Sequence, residues 1–384
     1  MNDKISKLIL LYVPTNVCNF KCDYCFISHT DNWDNKINFK YNPNQILAGL
    51  TKKRLGGTCL VNITANGETL LYKDLVLVTK GLLEEGHYVE IVTNGTVKQR
   101  VNELLELPKE LLKRLFFKIS YHYEQLIKNE MVYQQFWINV KAIKQSPCSF
   151  SLEVMPNDKL VPSLHKLCED CKSNAGAVCH ATVGRDDAVE SKKLLTNMTH
   201  NEYVGIWNSL DSEMFYFKMR LFGVRRKEFC YAGKWSLLIN LANGEAMQCY
   251  GRPTNQNIFD DPTKKIKFIP VGYSCMQPFC FNGHSHLAFG MIPKLETPRY
   301  SEVRNRICID GSLWLKPNVK LFFDQKLYEN NKEYSLIKKI VFTVVNPFYL
   351  FIVLFNDISE TRRKARKFIY IVSGKYKKAR KNDS

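Results

Sequence analysis

No apolar run in the 384-residue chain is long enough to cross a membrane, and no internal repeat or low-complexity tract interrupts it. Acidic residues are scarce beside basic ones, 37 Asp and Glu against 55 Lys and Arg, for a formal net charge of +18. An N-terminal apolar signal is missing too, since Met1 to Lys7 is polar, and 13 is an odd number of cysteines. These features argue against a secreted disulfide framework and for thiols of a reducing compartment, available to metals. The expected location is therefore cytoplasmic. With 45% apolar and 24% charged residues, the composition excludes disordered, collagenous and polytopic membrane classes. At about 150 residues per domain, the length allows two to three domains.

The basic excess is concentrated at one end. Residues 361–384 hold ten Lys and Arg and a single acid, Asp383. Such a run is either a solvated tail or a contact for an anionic surface, nucleic acid or a membrane leaflet. Just before it, the run Ile340 to Phe355 is almost wholly apolar, broken by Thr343, Asn346 and Pro347. As a helix it would span roughly 24 Å, short of the ~30 Å hydrocarbon core, with a kink at the proline. The expectation is a buried C-terminal helix or a segment lying in the interface on the inner face of the membrane.

Short runs rich in Val, Ile, Phe and Tyr recur at Leu8–Val13, Thr58–Thr64, Tyr88–Thr93, Leu115–Tyr121, Ser149–Met155 and Ala177–Val183. Between them, Tyr72–Leu83, Val97–Leu115 and Val132–Ile143 place apolar residues three and four apart. Strand-then-helix units in this order predict a parallel α/β sheet wound by right-handed crossovers. Further on, Thr199 to Glu202 reads as a capping box, and Ala242-Asn243-Gly244 reads as a hairpin turn between Leu237–Leu241 and Ala246–Tyr250.

The most specific signal follows the first predicted strand: Cys18-Asn-Phe-Lys-Cys22-Asp-Tyr-Cys25. Three thiolates in one loop suit one face of an iron–sulfur cubane, with the fourth iron left open; zinc, with His29 as a further ligand, is the alternative. This Cys-x3-Cys-x2-Cys loop, with Tyr24 before its last cysteine, resembles the signature of the radical S-adenosylmethionine (radical SAM) superfamily. Three later segments are similar to the same family in the expected order: Asn66-Gly67-Glu68 after the second strand, Thr93-Asn94-Gly95 after the third, and Ser120 with His122 on the fourth. At the first of them Asn66 stands where the family has glycine, and asparagine tolerates left-handed backbone angles.

The resemblance implies a partial (β/α)6 barrel over residues 1–185. It implies a 4Fe–4S cluster on Cys18, Cys22 and Cys25, and SAM held by Tyr24, Asn66, Gly67, Glu68, Asn94 and Ser120. It further implies reductive cleavage of SAM to a 5′-deoxyadenosyl radical, fed by an external one-electron donor such as a flavodoxin or ferredoxin.

Cys230-x2-Gly233, Asn243-Gly244, Cys249 and Cys275-x4-Cys280 are similar to the SPASM and twitch extensions of that superfamily. By that likeness residues 186–295 form a linker helix and a small α+β domain, in which Cys230, Cys249, Cys275 and Cys280 hold one auxiliary iron–sulfur cluster. Residues 296–384 are then a C-terminal extension with the apolar segment 340–355 and the basic tail. Cys168, Cys171, Cys179, Cys59, Cys148 and Cys308 read as buried thiols, and His284 and His286 as loop residues. No catalytic acid or base is assigned; Glu153 and Asp186 or Asp187 lie near strand ends by position only. A saccharide or surface-polymer precursor is the expected substrate, peptide maturation the alternative, and a zinc-stabilised nucleic-acid-binding protein the reading from another class.

Overall fold

The computed structural model describes residues 3–33, 37–186, 192–250 and 252–345. Asp187, most of the apolar segment and the basic tail lie outside them. Six parallel strands open the fold: β1 (Lys7–Val13), β2 (Cys59–Ala65), β3 (Tyr88–Thr93), β4 (Leu115–Ser120), β5 (Ser149–Val154) and β6 (His180–Ala181). The chain then returns to the free edge of β1. There β7 (Ser236–Asn240) pairs in parallel, and β8 (Glu245–Cys249) and β9 (Arg252–Asn257) add antiparallel. The result is one nine-stranded sheet in the order β6-β5-β4-β3-β2-β1-β7-β8-β9. The cysteine-bearing hairpin thus continues the sheet whose first strand leads into the loop of Cys18, Cys22 and Cys25.

Alternation along the strands sorts side chains between two cores. Ile9, Leu11 and Val13 of β1 pack under the helices, whereas Leu8 and Leu10 face the concave side. That concave side is filled by the chain's own later residues. Tyr88 stacks on Phe322 with centroids 3.7 Å apart, and Phe116 meets Phe323 edge-on at 5.1 Å. Tyr300 donates to Glu90 at 2.8 Å, and Arg304 reaches Glu153 at 2.6 Å. Residues around 287–327 therefore plug the lower half of the partial barrel and leave its upper rim, where the strands end, open.

Local chemistry departs from periodicity in several places. The helical pattern over Val97–Leu115 is split into Lys98–Leu105 and Lys109–Leu112, because Pro108 cannot continue the first helix. The sixth strand is only His180–Ala181, so Cys179 sits just before it, buried at the foot of the helix Leu164–Ala175. The capping box forms as expected: Thr199 accepts from the Glu202 backbone and starts the helix His200–Asn208. Of the apolar segment 340–355, residues 340–345 alone are described, and the expectation of burial for the rest lies outside the described residues. Residues 336–345 are helical and dock through Phe342 against Phe229 at 5.9 Å, while Leu336, Ile337, Ile340, Val341, Val344 and Val345 stay exposed. No helix of the described residues is long and apolar enough to cross a membrane.

Candidate active site

The loop after β1 carries Cys18, Cys22 and Cys25, and the backbone pins it to two neighbouring strand ends. Gly67 N donates to Thr15 O and Glu68 N to Val17 O, both at 2.8 Å, so the turn after β2 lies directly against the loop's entry. This contact explains the glycine. A Cβ at Gly67 would lie 2.0 Å from the Val17 carbonyl oxygen, so only a hydrogen fits. Left-handed geometry plays no part, since neither Asn66 nor Gly67 has a positive φ. The tolerance for such angles expected of Asn66 is therefore unused; Asn66 instead donates to Asn16 Oδ1 at 2.9 Å. On the other side Asn94 donates to Asn19 Oδ1 at 2.8 Å, and Asn19 donates to Thr96 Oγ1 at 2.7 Å. Asn19 and Thr96 carry no sequence signal of this role beyond their adjacency to motif residues.

Glu68 ties these turns together from a buried position. Its carboxylate accepts from Thr93 Oγ1 at 2.5 Å, Asn94 N at 2.8 Å and Leu70 N at 2.9 Å. Burial raises its pKa, and the three donors act the other way, favouring the ionised form. Tyr24 shares a hydrogen bond of 2.7 Å with His122 Nδ1, which also lies 3.6 Å from Cys22 Sγ. Burial depresses His122 to about 4, against a small opposing effect of Glu153, so its ring is neutral.

Cys18, Cys22, Cys25, Tyr24, Asn66, Gly67, Glu68, Asn94 and Ser120 all line one cavity of about 370 Å³ at the C-terminal rim of the strands. Every residue that the resemblance assigned to the first cluster and to SAM is thus brought together. Burial pushes the Cys18 thiol up to about 11 and Cys22 up to about 12. Such thiols ligate only when a bound cation offsets the cost of charging them. Among the described residues, no three His, Cys, Asp or Glu side chains gather round a point that would hold a single ion. The three cysteines line one shared volume. His29 does not join them; its Nδ1 lies 4.0 Å from Asp186.

The second cysteine group is brought together as well. Cys230, Cys249, Cys275 and Cys280 line an apolar cavity of about 430 Å³. Cys230 exchanges backbone hydrogen bonds with Gly272 at 3.1 and 2.9 Å, which fastens the start of this region to the loop bearing Cys275 and Cys280. Gly233 fulfils its place in Cys-x2-Gly by a φ of +89° and by its approach to Ile269 O, 2.2 Å from where a Cβ would stand. Burial lifts Cys230 to about 12 and Cys249 to about 11. The guanidinium of Arg252 binds both Ser274 O and Ser274 Oγ on the same wall. Phe281 and Asn282 line this cavity and the first one, so a single stretch of chain after Cys280 separates the two.

Glu153 is enclosed by cations. It lies 3.0 Å from Lys118 Nζ and 2.6 Å from Arg304 Nη1. Burial would raise its pKa, but Lys118, Arg304 and Lys218 outweigh burial and hold it at about 2. Cys168, Cys171 and Cys179 pack in or against the helical core.

Residues 12–148 match the sequence profile of the family described as the radical SAM superfamily. The chain is 34% identical over 97 residues to 7-carboxy-7-deazaguanine synthase of Thermoplasma acidophilum, a stretch of 24% of this chain and 41% of that protein. It thus spans less than half of that relative. Among solved structures, Streptococcus suis SuiB bound to S-adenosylmethionine is similar at 16% identity and a TM-score of 0.47, over 67% of this chain and 64% of that one. The structure titled anSMEcpe with bound AdoMet is similar at 15% identity and a TM-score of 0.46, over 88% and 99%.

Proposed function

Since residues 12–148 carry a radical SAM module, we propose that the chain binds a 4Fe–4S cluster and SAM at the strand rim and removes hydrogen from a carbon of a substrate seated in the same cavity. The observation that carries this reading is the meeting of Cys18, Cys22 and Cys25 with the Asn66-Gly67-Glu68 turn and Asn94 around one volume. Cluster and SAM together supply one-electron cleavage of a carbon–sulfur bond, chemistry that no side chain provides. The protein's part is placement. Glu68 locks the turns after β2 and β3, Asn94 and Asn19 hold the cysteine loop, and the buried wall limits water around the reacting carbon.

Cys230, Cys249, Cys275 and Cys280 would hold an auxiliary cluster on the far side of Phe281 and Asn282, which line both cavities, and that cluster would accept or supply an electron. A flavodoxin- or ferredoxin-like donor would supply the first electron. For the substrate, peptide maturation is the reading that relatives favour, in that solved structures of SuiB and anSMEcpe are titled with a precursor peptide and a Cys-containing peptide. A saccharide or surface-polymer precursor is the second reading. It is supported by the exposed apolar helix 336–345 and the basic residues beyond it, which fit peripheral contact with the inner, anionic face of a membrane.

The test is anaerobic reconstitution followed by dithionite reduction with SAM. About eight irons per chain and release of 5′-deoxyadenosine are expected; a zinc-loaded protein that leaves SAM intact overturns the proposal. Assaying the products of neighbouring genes, peptides and glycan precursors alike, then separates the two substrates.

A further inference from the structure

The three cysteines of the first cavity do not meet equal surroundings. Cys18 Sγ accepts from Phe20 N at 3.4 Å, a donor fixed by the backbone. Cys22 is buried and has side chains beside its sulfur instead. His122 Nδ1 lies 3.6 Å from Cys22 Sγ, and the Tyr24 hydroxyl acts on the same sulfur, opposing the effect of burial on the thiol. Tyr24 and His122 are themselves joined, hydroxyl oxygen to Nδ1, at 2.7 Å. The three groups therefore close a small triangle at the wall of the cluster cavity.

His122 is placed to serve that triangle. It follows β4 and precedes the short helix Tyr123–Leu126, where the Gln125 and Leu126 amides donate to its carbonyl at 2.9 and 3.0 Å. Its ring stacks on Tyr24 at 20° and meets Phe20 edge-on at 80°, with centroids 5.9 Å apart in both pairs. A neutral imidazole carries one N–H, a phenol one O–H, and a thiolate ligand only accepts. With the imidazole hydrogen on Nε2, the Tyr24 hydrogen goes to Nδ1, and an anionic sulfur faces the pair without a donor from it. With that hydrogen on Nδ1, His122 donates to the Tyr24 oxygen and frees the hydroxyl to donate to Cys22 Sγ. The second arrangement satisfies all three groups. A cluster gains negative charge on reduction, so a donor on one of its sulfurs stabilises the reduced form.

We propose that His122 and Tyr24 form a donor relay to Cys22 Sγ, His122 Nδ1–H bonding the Tyr24 oxygen and the Tyr24 hydroxyl bonding the sulfur, and that this relay raises the reduction potential of the first cluster. His122 is then a positioning residue that acts through Tyr24. The inference rests on the function proposed above in taking Cys22 as a cluster ligand. It gives the Tyr24 hydroxyl a role apart from the SAM contact that the resemblance implies for this residue.

The test is an anaerobic redox titration of the reconstituted holoenzyme without SAM, followed by electron paramagnetic resonance. The first cluster's signal is the one that changes when SAM is added to a parallel sample. The variant with Cys18, Cys22 and Cys25 replaced by Ala supplies the second cluster's signal for subtraction. At the wild-type midpoint, Tyr24→Phe and His122→Phe should each lower the ratio of reduced to oxidised first cluster at least threefold. The double variant should match the larger single effect within twofold, because the two residues act in series. In D2O, the reduced wild type should show an exchangeable deuteron coupling, read by electron spin echo modulation, that Tyr24→Phe loses. An unchanged ratio in either single variant overturns the proposal, as do effects that multiply in the double variant or a deuteron coupling that survives Tyr24→Phe intact. Should His122→Phe fail to bind iron, the ratio and the deuteron coupling of Tyr24→Phe decide. Failure of the functional reading looks different: no signal of the wild-type protein would then respond to SAM, and the relay would fall with it.

Discussion

Replacing Glu153 with Gln preserves shape and removes the carboxylate that Lys118 and Arg304 share. The structure sets the scale. A carboxyl held at about 2 in place of 4.5 corresponds, at ~1.4 kcal/mol per tenfold change, to about 3 kcal/mol of stability. Leaving buried cations without their partner costs about 3–5 kcal/mol by the experience of other buried pairs, which agrees in size. Because the folded-state pKa is depressed, this contribution is complete above pH ~4.5 and is lost as pH falls towards about 2. Guanidinium denaturation at pH 7 should therefore place Glu153→Gln about 3 kcal/mol below wild type. Melting of the cluster-free proteins should show the gap narrowing as pH falls from about 4.5 towards 2. Adding Lys118→Met should recover at least ~1 kcal/mol, since it removes the cation that lies 3.0 Å from the lost carboxylate. A loss under about 1 kcal/mol at pH 7, or a gap that widens in acid, would refute the account of this network.

Three further outcomes follow from the geometry. Cys18, Cys22 and Cys25 replaced together by Ala should remove about four irons per chain and all SAM cleavage while leaving the second cluster's absorbance, as read by iron analysis and anaerobic spectra. Gly67→Ala drives a methyl group into Val17 O, so the cysteine loop must shift; iron retained on the first cluster should fall several-fold with little change in far-ultraviolet circular dichroism. Glu68→Gln can keep one oxygen for Thr93 Oγ1 and Leu70 N but sets an NH2 group against the Asn94 N–H; it should cost about 1–3 kcal/mol and raise the SAM dissociation constant at least tenfold, by denaturation and equilibrium binding.

Strand placement was legible because β1 to β5 are short, rich in branched and aromatic residues, and bounded by turn chemistry; all five begin and end within one residue of their apolar runs. The cysteine loop and the turns at Asn66-Gly67 and Asn94-Gly95 were legible because their spacing is local. What the sequence hid is long-range. Nothing in Ser236–Asn240 says that it pairs with β1, each residue facing a partner 228 positions earlier in the chain, because edge strands choose partners by what remains unpaired. The charge network at Glu153 escaped for the same reason, since Lys118, Lys218 and Arg304 come from separate elements. A trace of it exists in β4 and β5, where Lys118 and Glu153 interrupt otherwise apolar strands. A charge on the inward face of a strand implies a partner, but not which one.

The plug of the concave side has a consequence for how the chain is made. Glu90 and Glu153 meet Tyr300 and Arg304 only across 210 and 151 residues of intervening chain. While a ribosome is still translating the first two thirds, these carboxylates face an unfilled hollow lined with Leu8, Leu10, Tyr88 and Phe116. The nascent strands therefore stay sticky and incompletely packed until the last quarter emerges, and a chain terminated before Tyr300 should be captured by chaperones or degraded.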